Sequence, residues 1–330
     1  MKAIRCNTLT GYKDLSLEDR SPPNPAANEI LIDVKYAALN FFDTLITEGK
    51  YQEKPTLPFT PGGEVAGRVA QTQGKNSTFA EGERVMAYTG WGGLQEQIAV
   101  PEKDVIKIPA NMSDEAAASL MITYGTAMHG LVERAQITAG ETIVILGAAG
   151  GAGLAALEVA KASEAKVIAV CASDDKCQLT LNHGADAALN CQEMDIKQEL
   201  KQHTNGNGVD VVYDCVGGAL SEPALRSLKW RGRYLVVGFA AGEIPAIPLN
   251  LILLKGARVD GVFLGRFIKE QADEFNRLTR QLLTWAETGK INPHIDKIYP
   301  LAETVAALDH LASRTSKGKI LIDVAASAPK

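Results

Sequence analysis

The run TIVILGAAGGAGLAALEVAKA, residues 142–162, constrains the fold of this chain more than any other segment. Four β-favouring apolar residues lead into a glycine-rich turn, and an apolar-periodic stretch follows. The pattern predicts a strand that ends at Leu146 and a helix that begins near Gly151. The glycines of the turn and of the helix start are Gly147, Gly150, Gly151 and Gly153. Such a turn lets a backbone and a helix N-terminus approach a pyrophosphate closely, so the segment predicts dinucleotide binding.

Apolar runs alternate with helical patterns from about Thr123 to Gly265. The runs are TIVILG, AKVIAVCA, GVDVVYDCVG, GRYLVVGF and ARVDGVFLG. Repeated strand–helix units predict an α/β fold whose parallel sheet is covered on both faces, the doubly wound arrangement. A tight turn that only packs is the alternative for the glycines, and this strand–turn–helix context favours cofactor binding instead.

The rest of the chain has a different pattern of apolar runs and turn residues. Short β-like runs separated by proline, glycine and asparagine occupy the first 121 residues. After Gly265 come two helical patterns and a last strand, KILIDV, without a glycine-rich turn. We therefore predict a mostly β unit made of residues 1–122 and 266–330, with a nucleotide-binding unit, residues 123–265, inserted into it.

Charge and composition narrow the classes of partner. The formal net charge is −5, and the sequence contains no lysine- or arginine-rich run, which argues against nucleic acid and against anionic membranes. The longest uncharged stretches fall short of the roughly 20 apolar residues that span a bilayer. The N-terminus lacks an apolar signal core, and the five cysteines show no metal-like spacing, so we expect a cytoplasmic protein with reduced thiols.

The end of the second strand bears on the choice of cofactor. NAD sites usually place an acidic residue about 20 residues after the glycines, whereas NADP sites offer cations to the 2′-phosphate. Here Ser173 and Lys176 follow the strand, which favours NADPH. Asp174 and Asp175 would repel the phosphate if they turned inward, and a solvated surface lysine is the alternative for Lys176.

Several separated motifs together resemble a known family. They are NFFDTLITEGKYQEKPTLPFTPGGEVAGRV, ASLMITYGTAMHGL, GAAGGAG and GRYLVVGF, followed by the returning tail. Over essentially its whole length the chain resembles the medium-chain dehydrogenase/reductase superfamily, and within it the zinc-free NADPH:quinone oxidoreductase, or zeta-crystallin-like, branch. The resemblance implies a GroES-like mostly β catalytic domain, a Rossmann domain and a cofactor in the cleft between them. It also implies a homodimer through the sheet edge around Val259–Phe263.

Zinc members of the superfamily carry cysteine and histidine ligands where this chain has Asn40 and Gly63. Neither residue offers a thiolate or an imidazole, and Glu64 alone does not make a site, so we expect no metal. Without a Lewis acid to ionise an alcohol, the expected reaction is hydride transfer to an electrophilic acceptor. Quinones and α,β-unsaturated carbonyls are such acceptors.

Further site residues follow from the resemblance. Asn40 and Tyr51 match residues near the reacting groups. Asn40 would donate a hydrogen bond beside the nicotinamide or the substrate. Tyr51 would donate a proton, unless it is only a packed aromatic. Positions matching the nicotinamide site are Thr126, Gly238, Phe239, Phe263 and Leu264.

One position departs from the family pattern. Family members often have a tyrosine that helps to hold the adenosine phosphate where this chain has Cys191. This substitution leaves more of the phosphate recognition to Ser173 and Lys176. Three functions stay open at this point: an NADPH-dependent quinone reductase, a reductase of enones or enoyl thioesters, and an NADPH-binding protein with little turnover.

Overall fold

A computed structural model describes residues 1–73 and 77–326 of the chain. It divides the chain into two compact units, one made of Met1–Ile122 with Pro293–Lys330 and the other of Thr123–Asn292. Among the described residues, none of the helices has both the length and the apolar character needed to cross a membrane.

Antiparallel strands dominate the N-terminal part of the first unit. The strands are β1 (Lys2–Arg5), β2 (Ser16–Asp19), β3 (Glu29–Leu39), β4 (Glu64–Thr72), β5 (Arg84–Tyr88), β6 (Gln97–Pro101) and β7 (Val105–Lys107). Two short helices accompany them, α1 (Phe41–Thr47) and α2 (Asp114–Ala118). β1 pairs with β2, and β3 lies at the centre of the larger sheet, with β4 and β6 paired to it. Alternate residues of β3, such as Ile30 and Ile32, enter the core because a strand points successive side chains to opposite faces.

The second unit begins with α3 (Thr123–Ala127) and a π-helical segment, Met128–Arg134. Its strands are β8 (Thr142–Leu146), β9 (Lys166–Cys171), β10 (Ala187–Asn190), β11 (Val209–Asp214), β12 (Leu228–Val236) and β13 (Arg258–Gly261). Its further helices are α4 (Gly151–Ala162), α5 (Asp174–Asn182), α6 (Ile196–His203), α7 (Ser221–Arg226), α8 (Leu249–Lys255), α9 (Leu264–Glu270) and α10 (Ala272–Glu287).

All six strands of the second unit are parallel, in the order β10-β9-β8-β11-β12-β13. The chain therefore winds outward from β8 on one side, returns to the centre, and winds outward on the other side. This is the strand order of a dinucleotide-binding doubly wound sheet, and it confirms the predicted fold class. The central strands β8 and β11 are buried over nearly their whole length, as expected for strands covered on both faces.

The C-terminal boundary of the second unit differs from the predicted one. The sequence prediction ended this unit at residue 265, whereas the structure continues it to Asn292. The buried face of α10, which includes Phe275, contacts α3 at Gly125, and Phe275 also packs edge-on against Phe267. An amphipathic pattern shows that a helix buries one face, but it does not show which unit covers that face.

The tail adds β14 (Ile295–Pro300), α11 (Thr304–Ala312) and β15 (Lys319–Asp323). β15 pairs antiparallel with β3, with Ile320 opposite Leu39, and β14 runs parallel to β15 at the sheet edge. This pairing returns the tail to the first unit. It also brings Lys319, the first residue of β15, beside the end of β3.

Candidate active site

The glycine turn follows β8 directly. Gly147 has a φ of +70°, and a Cβ there would lie 2.7 Å from Val216. A Cβ on Gly153 would lie only 2.3 Å from the Gly147 carbonyl oxygen, so any side chain at this position would push α4 away from the turn. Gly150 stands at the N-terminal end of α4 and offers no side chain to cap it. The first turn of α4 therefore presents its backbone N–H groups in the way that binds phosphate.

The sheet topology places the other expected cofactor residues at the same edge as this turn. Ser173, Gly238 and Phe263 each follow the carboxyl end of a parallel strand, β9, β12 and β13 respectively. Ligands of doubly wound sheets bind at this edge, where the strand order reverses. Here the reversal lies between β8 and β11.

The polar residues after β9 are bonded to one another. Ser173 immediately precedes α5 and donates its hydroxyl hydrogen to the Asp175 carboxylate, which also accepts the backbone N–H of Lys176 at 2.9 Å. Asp174 accepts a hydrogen bond from the Asn190 side chain at 2.8 Å. Asp174 is thus engaged by β10, whereas Asp175 places a negative charge directly beside the predicted phosphate ligand Ser173.

The expected nicotinamide-side residues lie on three elements of the second unit. Thr126 is on α3, and a Cβ on its neighbour Gly125 would lie 3.4 Å from Leu264. Leu264 is buried at the start of α9, so α3 and α9 are in contact at this point. The Gly238 backbone N–H donates to the Asp214 carbonyl at the end of β11, and Phe239 packs over Gly217.

A buried network in the first unit surrounds Asn40. The Lys319 ammonium donates to Glu64 Oε1 at 2.8 Å, to Asn40 Oδ1 at 2.8 Å and to the Leu39 carbonyl at 3.1 Å. The Asn40 amide donates to the same Glu64 oxygen at 3.0 Å, and Glu64 Oε2 accepts the Ile122 backbone N–H at 2.9 Å. Glu64 is 0% and Lys319 3% exposed. Each charge therefore has its partners inside the protein, as a buried ion pair requires.

Asp43 lies one turn after Asn40, fully buried. Its carboxylate accepts the backbone N–H groups of Asn40 at 2.8 Å and of Gly62 at 3.1 Å. Burial outweighs these hydrogen bonds and raises the pKa of Asp43 to about 7. Asp43 caps α1 and ties it to the loop before β4.

Tyr51 is half-buried and stacks on Phe42, with ring centroids 5.1 Å apart and planes at 26°. Burial and the nearby charges of Glu53 and Asp43 raise the pKa of Tyr51 to about 12. Burial and Glu53 also raise the pKa of Tyr88, at the end of β5. Both phenols therefore keep their protons at neutral pH, which is the state needed to donate one.

Comparison with known proteins decides the family. Residues 26–110 match the model of the alcohol dehydrogenase GroES-like domain, and residues 151–283 match that of the zinc-binding dehydrogenase. Quinone oxidoreductase-like protein 2 of Bos taurus is 38% identical over 98% of this chain and 92% of its own. This chain belongs to the medium-chain dehydrogenase/reductase superfamily.

Two of the similar proteins are named quinone oxidoreductase. The quinone oxidoreductase of Sus scrofa is 32% identical, over 98% of this chain and 97% of its own. The structure of Escherichia coli quinone oxidoreductase complexed with NADPH superimposes with a TM-score of 0.90 at 29% identity, covering 98% of this chain and 100% of that one. The chain is thus a quinone oxidoreductase-like member of the superfamily, with a GroES-like and a Rossmann domain.

One of the two matching family models is named for zinc, and a zinc ion would need protein ligands near Asn40 and Gly63. A Cβ on Gly63 would lie 2.5 Å from the Phe42 ring and 2.9 Å from Ile122, which leaves no room for a ligand side chain. Both Glu64 oxygens already accept hydrogen bonds, and Asn40 is a poor zinc ligand. Within residues 1–73 and 77–326, no three histidine, cysteine or acidic side chains are grouped as a metal would need. These residues do not fit zinc.

Lys319 is the site residue that the sequence reasoning missed. It stands at the start of the strand KILIDV, where a lysine looks like an ordinary charged flank. The sequence did contain an indirect indication of such a residue. Glu64 begins an apolar strand, and a buried carboxylate requires a cationic partner. Nothing in the local sequence identifies that partner 255 residues away.

Proposed function

We propose that this chain is a zinc-independent, NADPH-dependent reductase that transfers hydride to a quinone. The observation that carries the proposal is the closed network of Lys319, Glu64 and Asn40, in which Asn40 stands at a position that matches a metal ligand of zinc members. A site without a metal Lewis acid does not favour the ionisation of an alcohol, so the acceptor has to be electrophilic before it binds. Quinones meet this requirement, and two of the relatives compared above bear the name quinone oxidoreductase.

The residues of the second unit fit an NADPH molecule. The glycine-rich turn after β8 and the N-terminus of α4 would hold the pyrophosphate, and Ser173 with Lys176 would contact the 2′-phosphate. Thr126, Gly238, Phe239, Phe263 and Leu264 would surround the nicotinamide. When bound, this cofactor supplies a hydride, that is, two electrons and one hydrogen nucleus. The NADPH complex of the similar Escherichia coli enzyme supports the choice of cofactor.

Tyr51 is the proposed proton donor. A quinone that gains a hydride becomes a hydroquinone monoanion, and one proton from Tyr51 or water completes the two-electron reduction. An enone that gains a hydride at its β-carbon becomes an enolate, whose α-carbon needs a proton delivered from a fixed position. The raised pKa of Tyr51 keeps its phenol protonated and suits this second task. A reductase of enones or enoyl thioesters is therefore the second candidate function.

Initial rates of NADPH oxidation with a benzoquinone, an enone and a crotonyl thioester test the proposal. Turnover with the benzoquinone that exceeds turnover with the thioester supports quinone reduction, and the reverse order supports the second candidate. Tight NADPH binding without turnover of any acceptor would instead indicate a cofactor-binding protein, the third possibility raised by the sequence.

We also propose that two copies associate through the edge of the Rossmann sheet. β13 is the last strand of this sheet, and its free edge lies beside Val259. Exposed apolar side chains cluster in sequence just before it, with Leu249 78%, Leu253 77% and Leu254 71% exposed. An exposed apolar helix that leads into an unpaired edge strand favours a second copy that continues the sheet. Sedimentation of wild type against Leu253→Glu tests this, because the charge should yield monomers.

A reducing compartment, the cytoplasm, is the proposed location. The cysteines Cys6, Cys171, Cys177, Cys191 and Cys215 are all free thiols. Free, largely buried thiols are the usual state of cysteine in reducing compartments.

A further inference from the structure

A second concave surface lies at the opposite edge of the Rossmann sheet from the glycine turn. It has a volume of about 310 Å³ and is formed by the end of α6, the end of α7 and the strand starts at Gly208 and Leu228. Five cationic side chains line it: Lys197, Lys201, Arg226, Lys229 and Lys255. Because the strands are parallel, their amino ends form this edge and their carboxyl ends form the cofactor edge. We refer to this concave surface as the basic pocket.

The charges of the basic pocket are only partly balanced. Arg226 pairs with Glu222 at 2.7 Å, and Lys229 pairs with Asp210. For the other three cations, Lys197, Lys201 and Lys255, the described part of the chain contains no ion pair with an acidic side chain. A surplus of about three positive charges in one small concavity contrasts with the formal charge of −5 of the whole protein.

Lys255 is held in place by the fold. It ends α8 and donates one hydrogen bond to the Leu228 carbonyl at 2.5 Å, which leaves two N–H groups for another acceptor. Burial, together with the charges of Arg226 and Lys197, lowers the pKa of Lys255. The cations of the basic pocket thus lie near enough to one another to repel, and a bound anion would relieve this repulsion.

An aromatic ring borders the same pocket. Trp230 is 67% exposed and lines the pocket, and its ring rests on the backbone of Gly256, where a Cβ would lie only 2.9 Å away. Gly256 has a φ of +53°, so glycine suits both the backbone conformation and the contact. An indole that is held against the backbone and largely exposed can stack on a planar group.

We propose that the basic pocket binds a small phosphorylated ligand with at least two negative charges, at a site separate from the cofactor edge. Lys197, Lys201 and Lys255 would contact the phosphate oxygens, and Trp230 would stack on a base if the ligand is a nucleotide. The volume lies at the lower end of the range for small-molecule sites, which fits a pyrophosphate or a mononucleotide rather than a dinucleotide. The C-terminal end of α6 attracts Lys201 by its dipole, but this does not explain why cations from four elements converge.

Isothermal titration calorimetry of the full chain with inorganic pyrophosphate and with ADP tests the proposal. Saturating NADPH is present, so that the cofactor edge is filled. We expect one site per chain and binding that weakens as salt is added. The double variant Lys197→Glu/Lys201→Glu should lose roughly tenfold or more in affinity, because charge-assisted hydrogen bonds are lost. Both lysines are exposed, so the variant should fold.

The control is Lys103→Glu/Lys290→Glu, which changes the net charge equally at exposed positions outside the pocket. Unchanged affinity in the control supports a local site. Absence of binding in the wild type, equal losses in the two double variants, or binding of an RNA oligonucleotide without binding of the small anions would overturn the proposal. Trp230→Leu identifies the ligand type: a loss for ADP alone supports a nucleotide, and unchanged affinity for both supports a phosphate ligand.

Discussion

Replacement of Lys319 by methionine should strongly destabilise the first unit. Lys319 is 3% exposed, and its ammonium makes three hydrogen bonds, one of them to a carboxylate that is 0% exposed. Without the ammonium, Glu64 keeps the Asn40 amide and the Ile122 N–H as donors. A buried charge that loses its partner costs about 3–5 kcal/mol, and we expect a loss of this size from Lys319→Met.

A double-mutant cycle separates charge from packing. Glu64→Gln alone leaves an unpaired ammonium and should cost a similar amount, whereas Lys319→Met/Glu64→Gln contains neither charge. We expect the double variant to lose clearly less than the sum of the two single losses, since removal of a whole buried pair is often nearly neutral.

Hydrogen exchange of the peptides that contain β3 and β15 is the appropriate assay, because two units can unfold separately. Lys2→Met is the matched control. Lys2 pairs with Asp19 at 2.7 Å, the same type of contact, but their side chains are 49% and 77% exposed, so its loss should not change protection measurably. Additive single losses, or a Lys319→Met loss below about 1 kcal/mol, would contradict the reasoning.

Three further predictions concern the proposed reaction and the pH dependence of stability. Tyr51→Phe should reduce turnover of an enone by about 10²–10⁴-fold and of a benzoquinone much less, because only the enolate needs a placed donor; equal losses in initial rate would make Tyr51 a packing residue. Lys176→Glu should lower kcat/KM for NADPH roughly 10- to 150-fold and leave kcat/KM for NADH unaffected. Asp175→Asn should raise the preference for NADPH, because it removes the carboxylate beside Ser173. Steady-state kinetics with both cofactors check this, and equal changes for NADPH and NADH would refute a phosphate contact. Burial raises the pKa of Asp43 from 3.8 to about 7, so the folded state binds this proton more tightly than the unfolded state does. The free energy of unfolding should therefore fall by up to about 4 kcal/mol as pH rises from about 4 to about 7, and level off above pH 7. Urea unfolding of Asp43→Asn across this pH range should show no such slope.

The sequence predicted the local parts of the fold because their causes are local. The turn after Leu146 and the start of α4 at Gly151 follow from apolar periodicity and from glycine, and the structure confirms both. The helical pattern of α10 was equally evident from the sequence. The sequence did not show which unit contains α10, because the residues that cover its apolar face lie on α3, far away in sequence.

The candidate site shows the same division. The positions of Ser173 and Lys176 after β9 were predictable from the strand pattern. The hydrogen bond from the Ser173 hydroxyl to the Asp175 carboxylate could not be predicted, because the sequence does not select the side-chain rotamer of an aspartate in the first helical turn. This detail matters for function. A carboxylate bonded to Ser173 opposes a 2′-phosphate until it rotates away, so the strength of the preference for NADPH depends on that one rotamer.

The network around Asn40 also changes what this residue can do for a bound acceptor. Asn40 Oδ1 accepts from Lys319, and Nδ2 donates to Glu64 at 3.0 Å, so the orientation of the amide is fixed. The contact of Nδ2 with the Ala38 carbonyl is longer, at 3.3 Å, and that amide hydrogen is the only one Asn40 could give to a ligand. A single weak donor can orient an acceptor oxygen, but it cannot deliver a proton to carbon. If the first unit protonates a reduced acceptor, Tyr51 is the better candidate, and Asn40 serves mainly to hold the site in shape.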